Sequence, residues 1–331
     1  MTETVAEPVV LRFSDNRLLP TLFGEHDQNL ARMESTLDVR LSSRGNRISV
    51  AGQEGAIDIA CTALNALYNR LERGLPVDAA EVDAAMRLAS AGETGREADG
   101  GELVIHTPKR HITPRSAGQA DYMRALSEGE LVFGLGPAGT GKTYLAVATA
   151  VARLMSGRIE RIILSRPAVE AGERLGFLPG DLREKIDPYL APLYDALYDM
   201  MPADQVVNRL NSGEIEVAPL AFMRGRTLSH AFVILDEAQN ATRIQMKMFL
   251  TRLGEGSAMA ITGDPSQIDL GPGMTPGLVH AVDMLEGIPK SRVVRFTDRD
   301  VVRHSLVSHI VQAYDADDRK RAAERADEKK P

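Results

Sequence analysis

The run Gly136-Pro137-Ala138-Gly139-Thr140-Gly141-Lys142-Thr143 has the spacing of a phosphate-binding loop: a glycine, four free positions, then Gly-Lys-Ser/Thr. Gly136, Gly139 and Gly141 let the backbone turn tightly without a Cβ clash, so that successive N–H groups converge on an anion. A helix starting at the end of the loop adds unpaired donors and a partial positive charge. Lys142 is then placed to reach the outer phosphates of a nucleotide, and the Thr143 hydroxyl to ligate Mg²⁺. The plainer reading is a glycine-rich turn that caps a helix. Context weighs against it: Glu130–Leu135 reads as a short buried strand and Thr143–Met155 as a helix, the setting this chemistry requires.

A second signal lies downstream in Phe232–Asn240. Four apolar residues deliver Asp236 to the end of a buried strand, where a carboxylate can hold Mg²⁺ directly or through water. Glu237, next along, is positioned to polarise a water against the terminal phosphate. Ile261–Gln267 repeats the pattern: a strand ends, Gly263-Asp264 follows, and Gln267 is a candidate sensor of the terminal phosphate. Gln119 precedes Gly136 by 17 residues, and its amide suits the edge of adenine; Tyr122, three further on, is a candidate cover for the base. Two arginines compete for the role of a finger on transition-state charge. Arg252 follows a helix, where the dipole favours a cation in any case. Arg303 opens a helix expected over Asp300–Ala313, where the dipole opposes it. Arg224 and Arg226 are further candidates.

The elements that must position these groups follow from periodicity. Val9–Phe13 predicts a strand, Asn16–Phe23 and Asn29–Leu37 helices, Asp38–Ser42 and Arg47–Ala51 a hairpin, and Ala56–Leu71 a helix. This β-α-α-β-β-α order over residues 1–74 resembles a KH-type nucleic-acid-binding module, with Gly24-Glu25-His26-Asp27 where a GXXG loop would sit; its two acids should repel phosphate. Residues 75–113 read as an acidic helix over Val77–Ser90, a flexible linker over Ala91–Gly101, a strand over Glu102–Thr107, and a basic segment, Pro108–Ser116. Residues 114–314 alternate strands (Arg161–Ser165, Glu214–Leu220, Phe232–Leu235, Ser257–Thr262, Arg292–Phe296) with helices, including one within Gly176–Met201. The expected fold class is therefore α/β, a mainly parallel sheet with ligands at the carboxyl ends of its strands, beside a small α+β domain. Residues 315–331 are densely charged and expected to be unstructured.

Composition narrows the function classes. The formal net charge of −7 requires any nucleic acid to meet a local basic patch, and the absence of Trp with 5% aromatics argues against an extended base-stacking platform. Cys61 is the single cysteine, which excludes an intrachain disulfide or a Cys-based zinc site. An acidic N-terminus and the lack of a long apolar run point to a cytoplasmic protein with no membrane segment.

With Gln119, GPAGTGKT, SRPAVEAGERLGFLPGDLREKIDPYL, RGRT, LDEAQN and TGDPSQIDL in view, the chain resembles the PhoH family, in its branch with an N-terminal KH-like region. The resemblance implies a RecA-like P-loop ATPase related to superfamily 1 helicases, with ATP and Mg²⁺ as cofactors. It implies a role in RNA metabolism on single-stranded RNA, a YbeY-type endoribonuclease as partner, and a ring-shaped homo-oligomer, a hexamer being one form. Two other readings stand beside an RNA-coupled ATPase or helicase. One is a nucleotide-switched adaptor that presents a ribonuclease, the other a phosphotransferase acting on a small acceptor.

Overall fold

The computed structural model describes residues 7–92, 103–167, 182–271, 273–302 and 310. Its centre is a six-stranded parallel sheet built from β6 (Leu131–Leu135), β7 (Arg161–Arg166), β8 (Ile215–Pro219), β9 (Ala231–Leu235), β10 (Ala258–Gly263) and β11 (Ser291–Arg295), in the spatial order β11-β6-β10-β9-β7-β8. Every residue of β9 and β10 is buried, as expected of central parallel strands that pack helices on both faces. One face carries α5 (Ala117–Glu128), α6 (Lys142–Met155) and α7 (Leu182–Met200), whose apolar residues close over Val132, Ile162, Leu164, Phe232, Ile234 and Ala260. The other carries α9 (Arg243–Leu250) and α10 (Leu278–Leu285), packed on Phe133, Ile163, Val233, Leu235 and Ile261. Between β7 and β8 the chain also runs through α8 (Ala203–Ser212).

The strand order has one consequence for chemistry. β10 lies between β6, which leads into the glycine loop, and β9, which delivers Asp236. The carboxyl ends of these three strands are therefore adjacent.

The first domain has the expected element order: β1 (Val9–Arg12), α1 (Leu19–Phe23), α2 (Gln28–Leu37), β2 (Arg40–Arg44), β3 (Arg47–Ala51) and α3 (Glu54–Glu72), with an antiparallel sheet ordered β1-β3-β2. The hairpin closes through Gly45-Asn46 with Arg44 opposite Arg47, and Gly45 takes a left-handed φ of 64°. Its first strand begins two residues later than the Asp38 start expected, because Asp38 is itself left-handed (φ 54°) and ends α2. The Gly24–Asp27 loop forms a short 3-10 turn with His26 and Asp27 both at positive φ, and its acids are exposed. The acidic helix α4 (Ala79–Ser90) contributes Val82, Ala85 and Met86 to the same core as α3, so this core reaches beyond residue 74.

The two domains meet through polar contacts around the basic segment. Buried Arg70 of α3 donates to the Pro76 carbonyl and to Thr113 Oγ1 and pairs with Glu81 of α4 at 3.4 Å. Arg115 also reaches Glu81, at 3.4 Å. Lys109 donates to the Tyr198 carbonyl, and Arg110 pairs with Asp199. The basic segment thus holds the domains together. A two-stranded ribbon, β4 (Ile105–His106) with β5 (His111–Ile112), replaces the longer strand expected over Glu102–Thr107. The linker over 93–102, the tail after 310 and the motif residues 168–181 lie outside the described residues. Among the described residues no helix is long and apolar enough to cross a membrane.

Tyr122 corrects an expectation. Its ring is fully buried, edge-on to Phe296 at 5.4 Å and pressed against Gly134 of β6, so it covers no base. Its place is explained by the α5 periodicity: Tyr122 shares the buried face with Gln119, Met123 and Leu126. A Cβ at Gly134 would lie 2.8 Å from that ring. Gly134→Ala should therefore destabilise the protein by about 1–3 kcal/mol through overpacking, read as a lowered urea midpoint with an unchanged slope.

Candidate functional site

The glycine loop leaves β6 at Gly136 (φ 139°), passes Gly139 (φ 82°) and Gly141 (φ 84°), and enters α6 at Lys142. These positive φ values are the reason for the glycines. Among the described residues the N–H groups of Gly139, Thr140 and Gly141 find no protein acceptor, so they are available to an anion. Lys142 Nζ lies inside the turn, donating to the carbonyls of Gly136 (2.6 Å) and Pro137 (2.7 Å) and to Thr140 Oγ1 (3.2 Å). Burial lowers the Lys142 pKa, while Asp264, Asp236 and Glu237 act in the opposite direction. An anionic ligand would compensate the same buried charge.

The loop is tied from outside. Gly136 N–H donates to the Gly263 carbonyl at the end of β10, and Val302 N–H donates to the Gly139 carbonyl. Gln119, buried at the start of α5, receives Arg115 N–H on Oε1 (2.8 Å) and donates from Nε2 to the Thr140 carbonyl (3.0 Å). The amide expected to read a base edge is here a brace for the loop, because Gly141 brings the backbone within reach of it.

Asp236 is the hub of the acidic side. Oδ1 accepts from Thr143 Oγ1 (2.5 Å) and Thr262 Oγ1 (2.7 Å); Oδ2 accepts from Arg166 Nη2 (2.9 Å). Glu237 follows with a left-handed backbone (φ 52°, ψ 39°), a conformation that a non-glycine residue holds only when its surroundings enforce it. Its Oε1 accepts from Arg166 at 3.2 Å and its Oε2 from Gln239 Nε2 at 2.6 Å. Gln239 Oε1 in turn accepts Asp264 N–H (3.0 Å), which links the β9 and β10 loops. Gln267 is exposed, and its amide turns onto Asp264 Oδ2 at 3.0 Å.

Arg252 and Arg226, two of the expected arginines, are engaged elsewhere. Arg252 donates to the Met248 and Arg226 carbonyls and to Thr251 Oγ1, a capping role after α9. Arg226 is bidentate to Glu216, at 2.6 and 2.7 Å. Arg224 is exposed beside a 3-10 turn. Arg303 falls outside the described residues, as does most of the helix expected over Asp300–Ala313; Asp300 itself ends a 3-10 turn.

Sequence reasoning missed Arg166, Thr262 and Gln239. The first two end buried parallel strands, and that position was the available signal, since ligands gather at the carboxyl ends of such strands. Thr143 and Asp236 offer the hard oxygen donors that suit Mg²⁺. Among the described residues no cluster of three or more His, Cys, Asp or Glu is placed to hold a metal ion.

A glycine loop after one parallel strand and a buried acid after another, with a third strand between them, define a P-loop nucleotide-binding fold. The family model for PhoH-like proteins matches residues 111–315. A PhoH-like protein of Bacillus subtilis (strain 168) is 50% identical over 297 residues, covering 89% of this chain and 93% of that protein. A PhoH-like protein of Mycobacterium tuberculosis (strain H37Rv) is 49% identical over 299 residues, covering 90% and 85%. Protein PhoH of Escherichia coli (strain K12) is 44% identical over 205 residues, covering 61% and 58%. The chain belongs to the PhoH family.

Thr262→Val keeps the shape of the side chain but removes one of the two hydroxyl donors to Asp236 Oδ1. Leaving that acceptor short of a partner costs about 1–3 kcal/mol. The expected result is a several-fold rise in the Mg²⁺ concentration that half-saturates nucleotide binding, measured by titration with a fluorescent adenosine nucleotide.

Proposed function

We propose that this chain is an Mg²⁺-dependent ATPase that couples ATP hydrolysis to the handling of single-stranded RNA. The observation that carries this reading is the proximity of Lys142, Thr143, Asp236 and Glu237 at the carboxyl ends of the strands, with the Thr143 hydroxyl 2.5 Å from the Asp236 carboxylate. When bound, the metal would neutralise charge developing on the outer phosphates. Lys142 and the loop N–H groups bind the phosphates. Thr143 and Asp236 hold the cation, Glu237 orients and deprotonates the attacking water, and Gln267 reports the state of the terminal phosphate through Asp264.

Among the described residues there is one six-stranded parallel sheet. A motor of the superfamily 1 kind closes two such domains around ATP, so we infer that neighbouring subunits of a homo-oligomeric ring supply the second wall. Arg303, and less readily Arg252, is the candidate that would reach a neighbour's nucleotide.

The second reading, a nucleotide-switched adaptor for a YbeY-type endoribonuclease, is favoured by a specific observation. The basic segment is already engaged with Glu81, Asp199 and the Tyr198 carbonyl, and the exposed Gly24–Asp27 loop carries acids, so neither of these two stretches offers phosphate much attraction.

ATPase rates with and without single-stranded RNA separate the two. For an RNA-coupled enzyme, RNA accelerates turnover, Glu237→Gln abolishes it while nucleotide binding persists, and the rate per subunit falls on dilution to monomers. For an adaptor, RNA leaves the rate unchanged and the ribonuclease alters it.

A further inference from the structure

Arg166 ends β7 beside the two acids of the site, and no role for it follows from the phosphate loop. Strand register places it there: Ser165 pairs with Leu235, so the next residue on each strand brings Arg166 against Asp236. One nitrogen, Nη2, bridges Asp236 Oδ2 (2.9 Å) and Glu237 Oε1 (3.2 Å), and Nη1 donates to the Tyr189 carbonyl of α7 at 2.7 Å. Nε is buried with no acceptor among the described residues. The guanidinium is mostly buried, at 17% exposure. It is thus anchored at one end, under-satisfied in the middle, and shared between the acid that would meet a cation and the acid that would meet the water.

Two charge arguments bear on this arrangement. A divalent cation drawn to Asp236 and a guanidinium 2.9 Å from the same carboxylate repel each other, so they compete for Asp236. A guanidinium displaced from Asp236 while pivoting on Tyr189 has a stronger acceptor close by in a terminal phosphate, since planar N–H forks suit phosphate oxygens. Its departure also removes one of the two donors that occupy Glu237, the other being Gln239.

We propose that Arg166 is a nucleotide-gated arginine supplied by the same subunit: it restrains Glu237 before nucleotide binds, and it moves to the terminal phosphate when a cation–triphosphate occupies the loop. This rests on the ATPase reading and adds to it a residue that distinguishes triphosphate from diphosphate. The trade between Asp236 and the phosphate involves no net transfer of protons or electrons. Arg166 contacts the substrate only in the triphosphate-bound arrangement.

The test compares wild type, Arg166→Lys and Arg166→Ala for binding of a fluorescent ADP and of a fluorescent non-hydrolysable ATP analogue with Mg²⁺, together with turnover and thermal unfolding. In Arg166→Ala, ADP affinity is expected to stay within about twofold, affinity for the triphosphate analogue to fall about tenfold or more, and turnover to fall about 10³-fold. Arg166→Lys keeps the charge without the fork; it should recover much of the triphosphate preference and little of the turnover. An unchanged ratio of triphosphate to diphosphate affinity in both variants would overturn the proposal, as would loss of both affinities in parallel with a lowered melting temperature. If wild type itself retains no adenosine nucleotide, the ATPase reading fails first. If wild type binds and hydrolyses ATP while Arg166→Lys and Arg166→Ala do so equally well, only the role of Arg166 fails.

Discussion

A carboxylate that is 3% exposed costs free energy unless hydrogen bonds and opposite charge compensate it, and Asp236 is that carboxylate here. Its compensation comes from three parts of the chain: Lys142 and Thr143 at the start of α6, Thr262 near the end of β10, and Arg166 at the end of β7. None of these is close to Asp236 in sequence. The parallel sheet makes them close, because all its strands end on the same side and β10 is inserted between the loop strand and the acid strand. A buried acid satisfied in this way is rigid, and a rigid acid is what a metal–phosphate site needs.

The glycine loop is held by the same economy of contacts. Left-handed residues make it weak as a free segment, so its order comes from outside: from Gly263 of β10, from Gln119 of α5, and from Val302 beyond β11. The stretch after β11 is itself secured by Asp300, whose carboxylate accepts from Thr297 N–H, Thr297 Oγ1 and Gly118 N–H. Gly118 can only be small there, since a Cβ would lie 2.6 Å from Asp300 Oδ1. The loop, the start of α5 and the segment after β11 therefore form one hydrogen-bonded unit.

That unit continues to the first domain. Arg87 of α4 donates to the Arg115 carbonyl, next to Ser116, which caps α5. Arg115 and Arg70 both reach Glu81. A cavity of about 720 Å³ opens along this seam, lined in part by Met86, Arg87, Ser116, Gly118 and Asp300.

How much of this was legible in the chain depends on the range of the interaction. Most of the strands, several of the helices, the α/β architecture and the small α+β region could be read because hydrophobic periodicity and glycine placement are local, acting over a turn or a strand pair; α5, α8 and α10 were not. The glycine loop and the acid after β9 could be read for the same reason: each is a contiguous motif whose strand, turn and helix lie within a few residues. Tyr122 misled because an aromatic at helical spacing looks the same whether it faces a ligand or a glycine on the next strand. Gln119 could be located but not its partners, since Thr140 is brought to it by the fold. Arg166 and Thr262 were invisible as partners of Asp236 for a related reason: which strands are neighbours is set by how the helices pack across the sheet, and no segment carries that order within itself. By itself the sequence determined which groups are chemically able to hold a nucleotide; only tertiary structure decided which side chains satisfy them, because buried charges choose partners by distance in space.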